Sequence, residues 1–397
     1  MRGMLVITQV ALALVLLASA GLLLKSLQKL ISVDPGFKTD HLLTLEYRIP
    51  RNNYPKGIQQ TRFHEQVVSK VAALPGVESA ADIRALPFSG NNASRIISFP
   101  DRAPAPAGAP WIVGYNAVSP AYFSTVRMPL LEGRFFTPAE GPDSPRVVII
   151  SRSFEEKFWP RQKALGRQVF IPKADSDATS AADLVPATVV GVVPGTKQDS
   201  LTEPEAPQLY APYAQDPFIF ATLVVRTKGD PMSLAHDVQR AVWSVDRDQP
   251  VWKIRTMDSL IALSVRNRRY VIFLVGCFSM VALVLAAVGL YGVLAYSVTQ
   301  RRAEFGIRLA IGAEPGQILS SVVKSGLRLT LIGLTMGCGM ALLLTHFLRT
   351  QLYEVSGSDP AVYGVSCALL LCVGLLAAVL PAHRASRVDP VIALRQE

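Results

Sequence analysis

The side chains able to do chemistry are few and scattered. The histidines are His41, His64, His236, His346 and His383, and none has a second ligand at metal spacing. His64-Glu65 starts a zinc-helix motif but lacks its second histidine, so all five read as surface or interfacial residues and no metal site is expected. Cys277, Cys338, Cys367 and Cys372 form no CxxC pair and sit in the apolar C-terminal third. The central stretch therefore carries no disulfide and depends on its own core. No GxxxxGK[ST] phosphate loop and no GxSxG elbow is present, so no catalytic residue is expected. What remains is the run Gln300–Ala313. Arg301, Glu304 and Arg308 fall on one face of a helix at 100° per residue, and Phe305 and Leu309 form an adjacent apolar ridge. This pattern predicts a short amphipathic helix at a membrane surface, ended by Gly312 and kept from extending by Pro315. Such an element passes a push from a partner into the helices it joins. A basic loop that merely sets topology explains the same residues equally well.

The elements that position this run are membrane spans. Half of the 397 residues are apolar and the mean hydropathy is +0.30. The apolar residues gather in Met4–Leu24, Val271–Val298, Leu329–Leu348 and Val362–Ala382, none of which holds a Lys, Arg, Asp or Glu. About 20 apolar residues cross a bilayer as a helix, which alone satisfies its backbone there. Ala18-Ser19-Ala20 resembles a cleavage site, but Arg2 is the only early cation and Gly21–Leu24 prolongs the run. Arg301, Arg302, Arg308, Lys324 and Arg328 follow the second span, and Arg384, Arg387 and Arg395 follow the fourth. Only Arg349 follows the third. The termini and the second-to-third loop are thus expected in the cytoplasm, with residues 25–270 outside it. Lys25, Lys29, Arg266, Arg268 and Arg269 flank the domain on the disfavoured side, which long translocated domains tolerate. Gly333, Gly337 and Ala341, Gly364 with Ala368, and Gly374 with Ala378 are spaced for close helix contact, although glycine is common in membrane helices anyway. The net charge of +10 is dispersed, not clustered with aromatics, which argues against nucleic acid.

Between the first two spans, strand–helix–strand patterns recur. One covers His41–Ile49, Ile58–Leu74 and Val77–Leu86, and the other Ala221–Arg226, Met232–Val245 and Val251–Arg255. They predict a ferredoxin-like layer. A mostly-β inserted subdomain is expected over about 116–215, with Asn116–Tyr122, Val147–Ile150, a helix at Ser151–Phe158 and a strand at Thr188–Val193. The expected fold is an α+β membrane protein of four transmembrane helices with this large extracytoplasmic domain between helices one and two. Its expected parts are 1–24, 25–270 and 271–397, the last holding a cytoplasmic segment at 299–328.

The run Arg301-Arg302-Ala303-Glu304-Phe305-Gly306-Ile307-Arg308-Leu309-Ala310-Ile311-Gly312-Ala313 resembles the coupling segment of FtsX-like permeases. The tail Pro381–Arg395 is similar to that family's closing pattern, and Val33-Asp34-Pro35-Gly36-Phe37 fits too. Ser119–Phe123 with Leu131-Glu132-Gly133-Arg134 resembles the MacB-like periplasmic core. The resemblance to this MacB/FtsX-like class of ABC permeases covers nearly the whole chain. It implies a non-catalytic subunit whose ATP and magnesium are bound by a separate ATPase docking under Gln300–Ala313. It also implies a homodimer, or a heterodimer with a second permease half, in the bacterial inner membrane. Motion would be transmitted to the periplasmic domain, with a periplasmic adaptor as a further partner. The chain looks nearest to the second half of duplicated permeases often found without an ATPase. It reads as a single half, a piece of one, or the partner of another. An ATPase-independent receptor or scaffold is the alternative.

Overall fold

A computed structural model of the chain describes residues 2–102, 105, 109–173, 184–311, 314–348, 353 and 355–386. It comprises two units, one of residues 33–266 and one of residues 1–32 with 267–397. After α1 (Arg2–Ile31) come β1 (Leu42–Arg48), α2 (Gly57–Ala72), β2 (Val77–Ile83), β3 (Ser94–Ile97) and β4 (Trp111–Val118). Then follow α3 (Tyr122–Thr125), β5 (Glu132–Gly133), β6 (Val147–Ser151), α4 (Arg152–Phe158), β7 (Gln168–Pro172), β8 (Leu184–Val193) and β9 (Gln208–Pro212). The unit closes with β10 (Phe220–Thr227), α5 (Ala235–Trp243), β11 (Val251–Thr256) and α6 (Met257–Ser264).

One half of this unit is the antiparallel order β11-β1-β10-β2, the ferredoxin-like arrangement. Leu43, Leu45 and Tyr47 alternate along β1 and pack with Phe63, Val67 and Val71 of α2 and with Val238 and Val242 of α5. The second half, residues 84–219, lies wholly between β2 and β10 in sequence. It continues the sheet as β4-β9-β6-β8-β5, with β3 on β4 and β7 on β8. Its own core gathers Val148, Ile150, Phe154, Phe158 and Trp159. The two halves of the sheet join through one strand pair, Ile83 with Val118. Periodicity does not reveal β3, β7 or β9, which are four or five residues long and too short to show alternation. The helix predicted from Met232 divides instead. Pro231 opens a single 3₁₀ turn through Leu234 before α5 begins.

His64 corrects the expectation of a surface or interfacial histidine, because it is fully buried. Its Nε2 faces the Phe218 carbonyl at 2.9 Å, and its Nδ1 lies 2.6 Å from Tyr47 Oη and 3.1 Å from Asp82. Tyr47 donates to the same Asp82 oxygen at 2.7 Å. A helix, two strands and the approach to β10 supply the partners, and no local spacing announces them.

The helical unit adds α7 (Arg266–Gln300), α8 (Arg302–Ala310), α9 (Pro315–Leu348) and α10 (Pro360–Ser386) to α1. Four of its helices are long and apolar enough to cross a membrane. Each extends beyond its apolar segment, because helical hydrogen bonding continues after the side chains turn polar. The packed center holds Val10, Leu14, Ala286, Leu290, Leu294 and Leu334.

Candidate functional site

The site is the turn from α7 into α8 and the helix contacts behind it. Helical bonding runs almost unbroken through the turn. The Arg301 amide donates to the Ser297 carbonyl at 3.2 Å, and the Phe305 amide to the Arg301 carbonyl at 3.0 Å. Phe305 is 1% exposed. It packs with Val298 at the end of α7, Ile318 and Val322 of α9, and Ala382 of α10. Gly306 beside it is also buried. One aromatic ring thus ties α8 to three spans.

The opposite face is polar. Arg301 makes two hydrogen bonds to Glu304, at 2.7 and 2.9 Å, and Arg308 approaches the same carboxylate at 2.6 Å. The Arg301 hydrogen bonds hold the Glu304 carboxyl below its usual range, against the opposing effect of burial, and the charges of Arg301 and Arg308 add to the lowering. The Arg301 guanidinium also sits 5.4 Å from the center of the Phe305 ring. Because these charges are exposed, the triad adds little stability. Arg302 is exposed, and so are Ile307 and the 81%-exposed Ile311. Ala310 ends α8. Gly312 and Ala313, predicted to close the segment, lie outside the described residues, as do the side chains of Leu309 and Ala310.

Behind the turn, small residues let the helices meet. A Cβ at Gly333 would stand 2.7 Å from Val10 Cβ, and one at Gly337 would stand 3.0 Å from the Ala11 backbone. Ala341 is buried against Val15 and Ala18. Gly333, Gly337 and Ala341 therefore all face α1. Gly374 abuts Thr330 and Leu290, and Ala378 is buried next to Gly326. Among the described residues a Cβ at Gly364 would meet nothing within 4 Å, and Ala368 is exposed, so that spacing marks no contact within the described part of the chain. Sequence reasoning missed Gly21, whose Cβ would reach Val362, and Gly289, which lies under the Gln9 amide. It also missed the clamp at the far end of α1. There Lys25 pairs with Asp359, and the Tyr353 amide donates to Ser26 Oγ at 2.9 Å. No sequence signal joins residues so far apart.

Two glycines in the other unit explain motif positions. Gly36 has φ +95° and a Cβ site 2.2 Å from the Gly195 carbonyl oxygen. Gly133 has φ +82° and meets the Val190 oxygen at the same distance. Only glycine fits either place.

Four helices long and apolar enough to cross a membrane, with a mixed α+β domain inserted in sequence between the first and the second, define a multi-pass membrane protein. Residues 4–241 match the MacB-like periplasmic core domain and residues 276–390 the FtsX-like permease C-terminal domain. The chain belongs to the MacB/FtsX-like family of ABC permeases. It is 28% identical over 298 residues to the macrolide export ATP-binding/permease protein MacB of Wolinella succinogenes, covering 71% of this chain and 43% of that protein. It is 23% identical over 374 residues to the pyoverdine export ATP-binding/permease protein PvdT of Pseudomonas syringae pv. syringae, covering 90% and 51%. The ABC transporter permease YknZ of Bacillus subtilis is 24% identical over 294 residues, covering 71% and 70%. The chain thus spans about half or less of the MacB and PvdT proteins it matches. The crystal structure of the periplasmic region of MacB from Actinobacillus actinomycetemcomitans covers 60% of this chain and 99% of its own, with TM-score 0.38 and 15% identity.

Proposed function

We propose that this chain is the permease half of an ABC transporter and that a separate ATP-binding subunit docks on α8. ATP and magnesium belong to that subunit. The permease sits in the inner membrane as a homodimer or a heterodimer with a second half. Its termini and α8 are cytoplasmic and residues 25–270 are periplasmic. Nucleotide-driven movement of α8 is transmitted to the periplasmic domain, for efflux of small molecules or for work on the envelope, with or without a periplasmic adaptor. The coupling residues are Arg301, Arg302, Glu304, Phe305, Gly306, Arg308, Ala310, Gly312 and Ala313.

The observation that carries this reading is the burial of Phe305 among α7, α9 and α10 while Arg301, Glu304 and Arg308 stay exposed. A force on the charged face must move all three spans, because packed side chains are close to incompressible. Removing the ring costs about 3–5 kcal/mol of local packing and frees α8 from the spans. In liposomes holding the chain and its ATP-binding subunit, Phe305→Ala is expected to leave co-purification intact and reduce permease-stimulated ATP hydrolysis to the subunit's basal rate. Unchanged stimulation, or no ATP-binding subunit in the purified complex, would overturn the reading in favour of the receptor or scaffold.

A further inference from the structure

The unit of residues 33–266 holds a cavity of about 370 Å³ lined by both halves of its sheet. Val68 and Ser69 of α2 come from the ferredoxin-like half. Pro120 after β4, Pro138 after β5 and Pro212 at the end of β9 come from the inserted half. The cavity lies beside the one strand pair that joins the halves. Ser119, which follows Val118 of that pair, is also in its wall, and its Oγ accepts from the Asp82 amide at 3.0 Å. The volume falls in the roughly 300–1,000 Å³ range of small-molecule sites, which join mostly apolar walls to a few placed polar groups.

Two carboxylates line the cavity, and they differ. Glu140 is already committed, because Arg134 and Thr137 occupy both of its oxygens. Glu65 is exposed, so a ligand can reach it. It accepts a hydrogen bond from the Tyr213 hydroxyl, and among the described residues no Lys, Arg or His forms an ion pair with it. Burial first, then the charges of Glu65 and Asp82, push the Tyr213 hydroxyl well above its ordinary pKa, so it stays a proton donor to Glu65. Thr137 likewise gives its proton to Glu140. These two hydroxyls keep only lone pairs for a ligand. The wall therefore offers a fixed, unneutralised negative charge beside proline and valine surface.

We propose that this cavity binds a small organic cation, an ammonium carried on an apolar body, with the ammonium on Glu65 and the body against the prolines. The charge-assisted hydrogen bond fixes the ligand's polar end, and apolar contact holds the rest. A metal ion is the rival occupant, but no group of three or more His, Cys, Asp or Glu among the described residues is placed to hold one. A neutral or anionic molecule with the same body would cover Glu65 and leave it unpaired, at a cost that the ammonium avoids. Because both halves line the cavity, the bound cation ties α2 to the inserted half across their single strand pair. The inference concerns residues 33–266 alone. It does not rest on the coupling proposal, and its test uses no ATP-binding subunit.

The test is equilibrium dialysis of the full chain in phosphatidylcholine nanodiscs, with empty nanodiscs as the blank. The probes are phenylbutylamine, phenylbutanol and phenylbutyrate, which share one body and differ in the charge at its end. The amine is expected to be retained at one per chain and about tenfold more tightly than the alcohol, with the acid weaker still. Glu65→Gln, which keeps an acceptor for Tyr213, is expected to abolish the preference for amine over alcohol. Ser69→Trp, which fills the cavity from an exposed helix position, is expected to remove retention of both. The glutamine variant reads out the charge even if the tryptophan variant does not fold. Equal retention of amine and alcohol by the unaltered chain, or an unchanged preference in Glu65→Gln, would overturn the proposal. So would undiminished amine retention by a folded Ser69→Trp chain, because the amine would then sit outside the cavity.

Discussion

At the scale of single residues, the acid that titrates most tellingly outside the membrane is Glu140. Burial raises its carboxyl pKa, but hydrogen bonds from the Thr137 hydroxyl and amide, together with Arg134, outweigh that and hold it below the usual range. The contacts are 2.8 Å to the hydroxyl, 2.5 Å to the amide and 2.6 Å to Arg134. A folded pKa below the unfolded value of about 4.3 gives stability that is fully present at neutral pH. That stability is lost as pH falls from the unfolded value through the depressed folded one. Trp111, Trp159, Trp243 and Trp252 all lie in residues 33–266, so tryptophan fluorescence excited at about 295 nm reports on this unit alone. Urea unfolding followed this way should show Glu140→Gln costing about 1–3 kcal/mol at pH 7. The variant should also have a shallower fall in stability on acidification. An acid slope equal to that of the unaltered chain would mean that Glu140 is not depressed. The sequence shows this carboxylate and Arg134 six positions apart, but not the loop that brings them together. In the same way, the helical spacing of Arg301, Glu304 and Arg308 is legible from local geometry. The burial of Phe305 is not, because Ile318, Val322 and Ala382 reach it from other helices.

At the scale of elements, the stripe of small residues on α9 separates what spacing can tell from what it cannot. Gly333, Gly337 and Ala341 lie one above another at intervals of four, and α1 packs along them. Gly364 and Ala368 have the same spacing on α10 and face away from the packed center. Spacing defines a face, and only the neighbouring helix decides whether that face is used. Two substitutions test the distinction. A side chain at Gly337 collides with the Cα and carbonyl oxygen of Ala11, and backbone atoms do not rotate away. Gly337→Val is therefore expected to part α1 from α9 at a cost of about 1–3 kcal/mol. It should lower the temperature at which the detergent-solubilised chain loses its monodisperse gel-filtration peak. Gly364→Ala meets open space and should leave that temperature unchanged or slightly raised. Equal effects from the two would show that α1 does not pack on this stripe. The ferredoxin-like order was legible for a related reason. Its strands and helices are long enough to show their periods, whereas β3, β7 and β9 are recruited as short ladders onto strands already present.

At the scale of the whole molecule, the decisive quantity is which side of the bilayer each segment occupies. Residues 33–266 are an insertion between α1 and α7, so they are tethered to a spanning helix at each end. The charges argue for one sidedness. Arg301, Arg302, Arg308, Lys324 and Arg328 cluster after α7, against Arg349 alone after α9. Short loops obey the positive-inside rule, whereas a translocated domain of this length escapes it. Lys25, Lys29, Arg268 and Arg269 therefore do not reverse the assignment. Among them Lys25 pairs with Asp359 within the helical unit. A cysteine-free form of the chain allows the sides to be read one residue at a time. Gly229→Cys, at an exposed turn with no neighbour near its Cβ site, should react with a membrane-impermeant maleimide in intact spheroplasts. Arg302→Cys, exposed at the start of α8, should react only after permeabilisation. If both react in intact spheroplasts, α8 and the domain share a compartment. A cytoplasmic ATP-binding subunit would then have no access to Arg301, Glu304 and Arg308, whatever their geometry. If the predicted pattern holds, α7 is the direct covalent link along which a push on α8 reaches residues 33–266, and α1, packed on α9, is a second spanning helix attached to them.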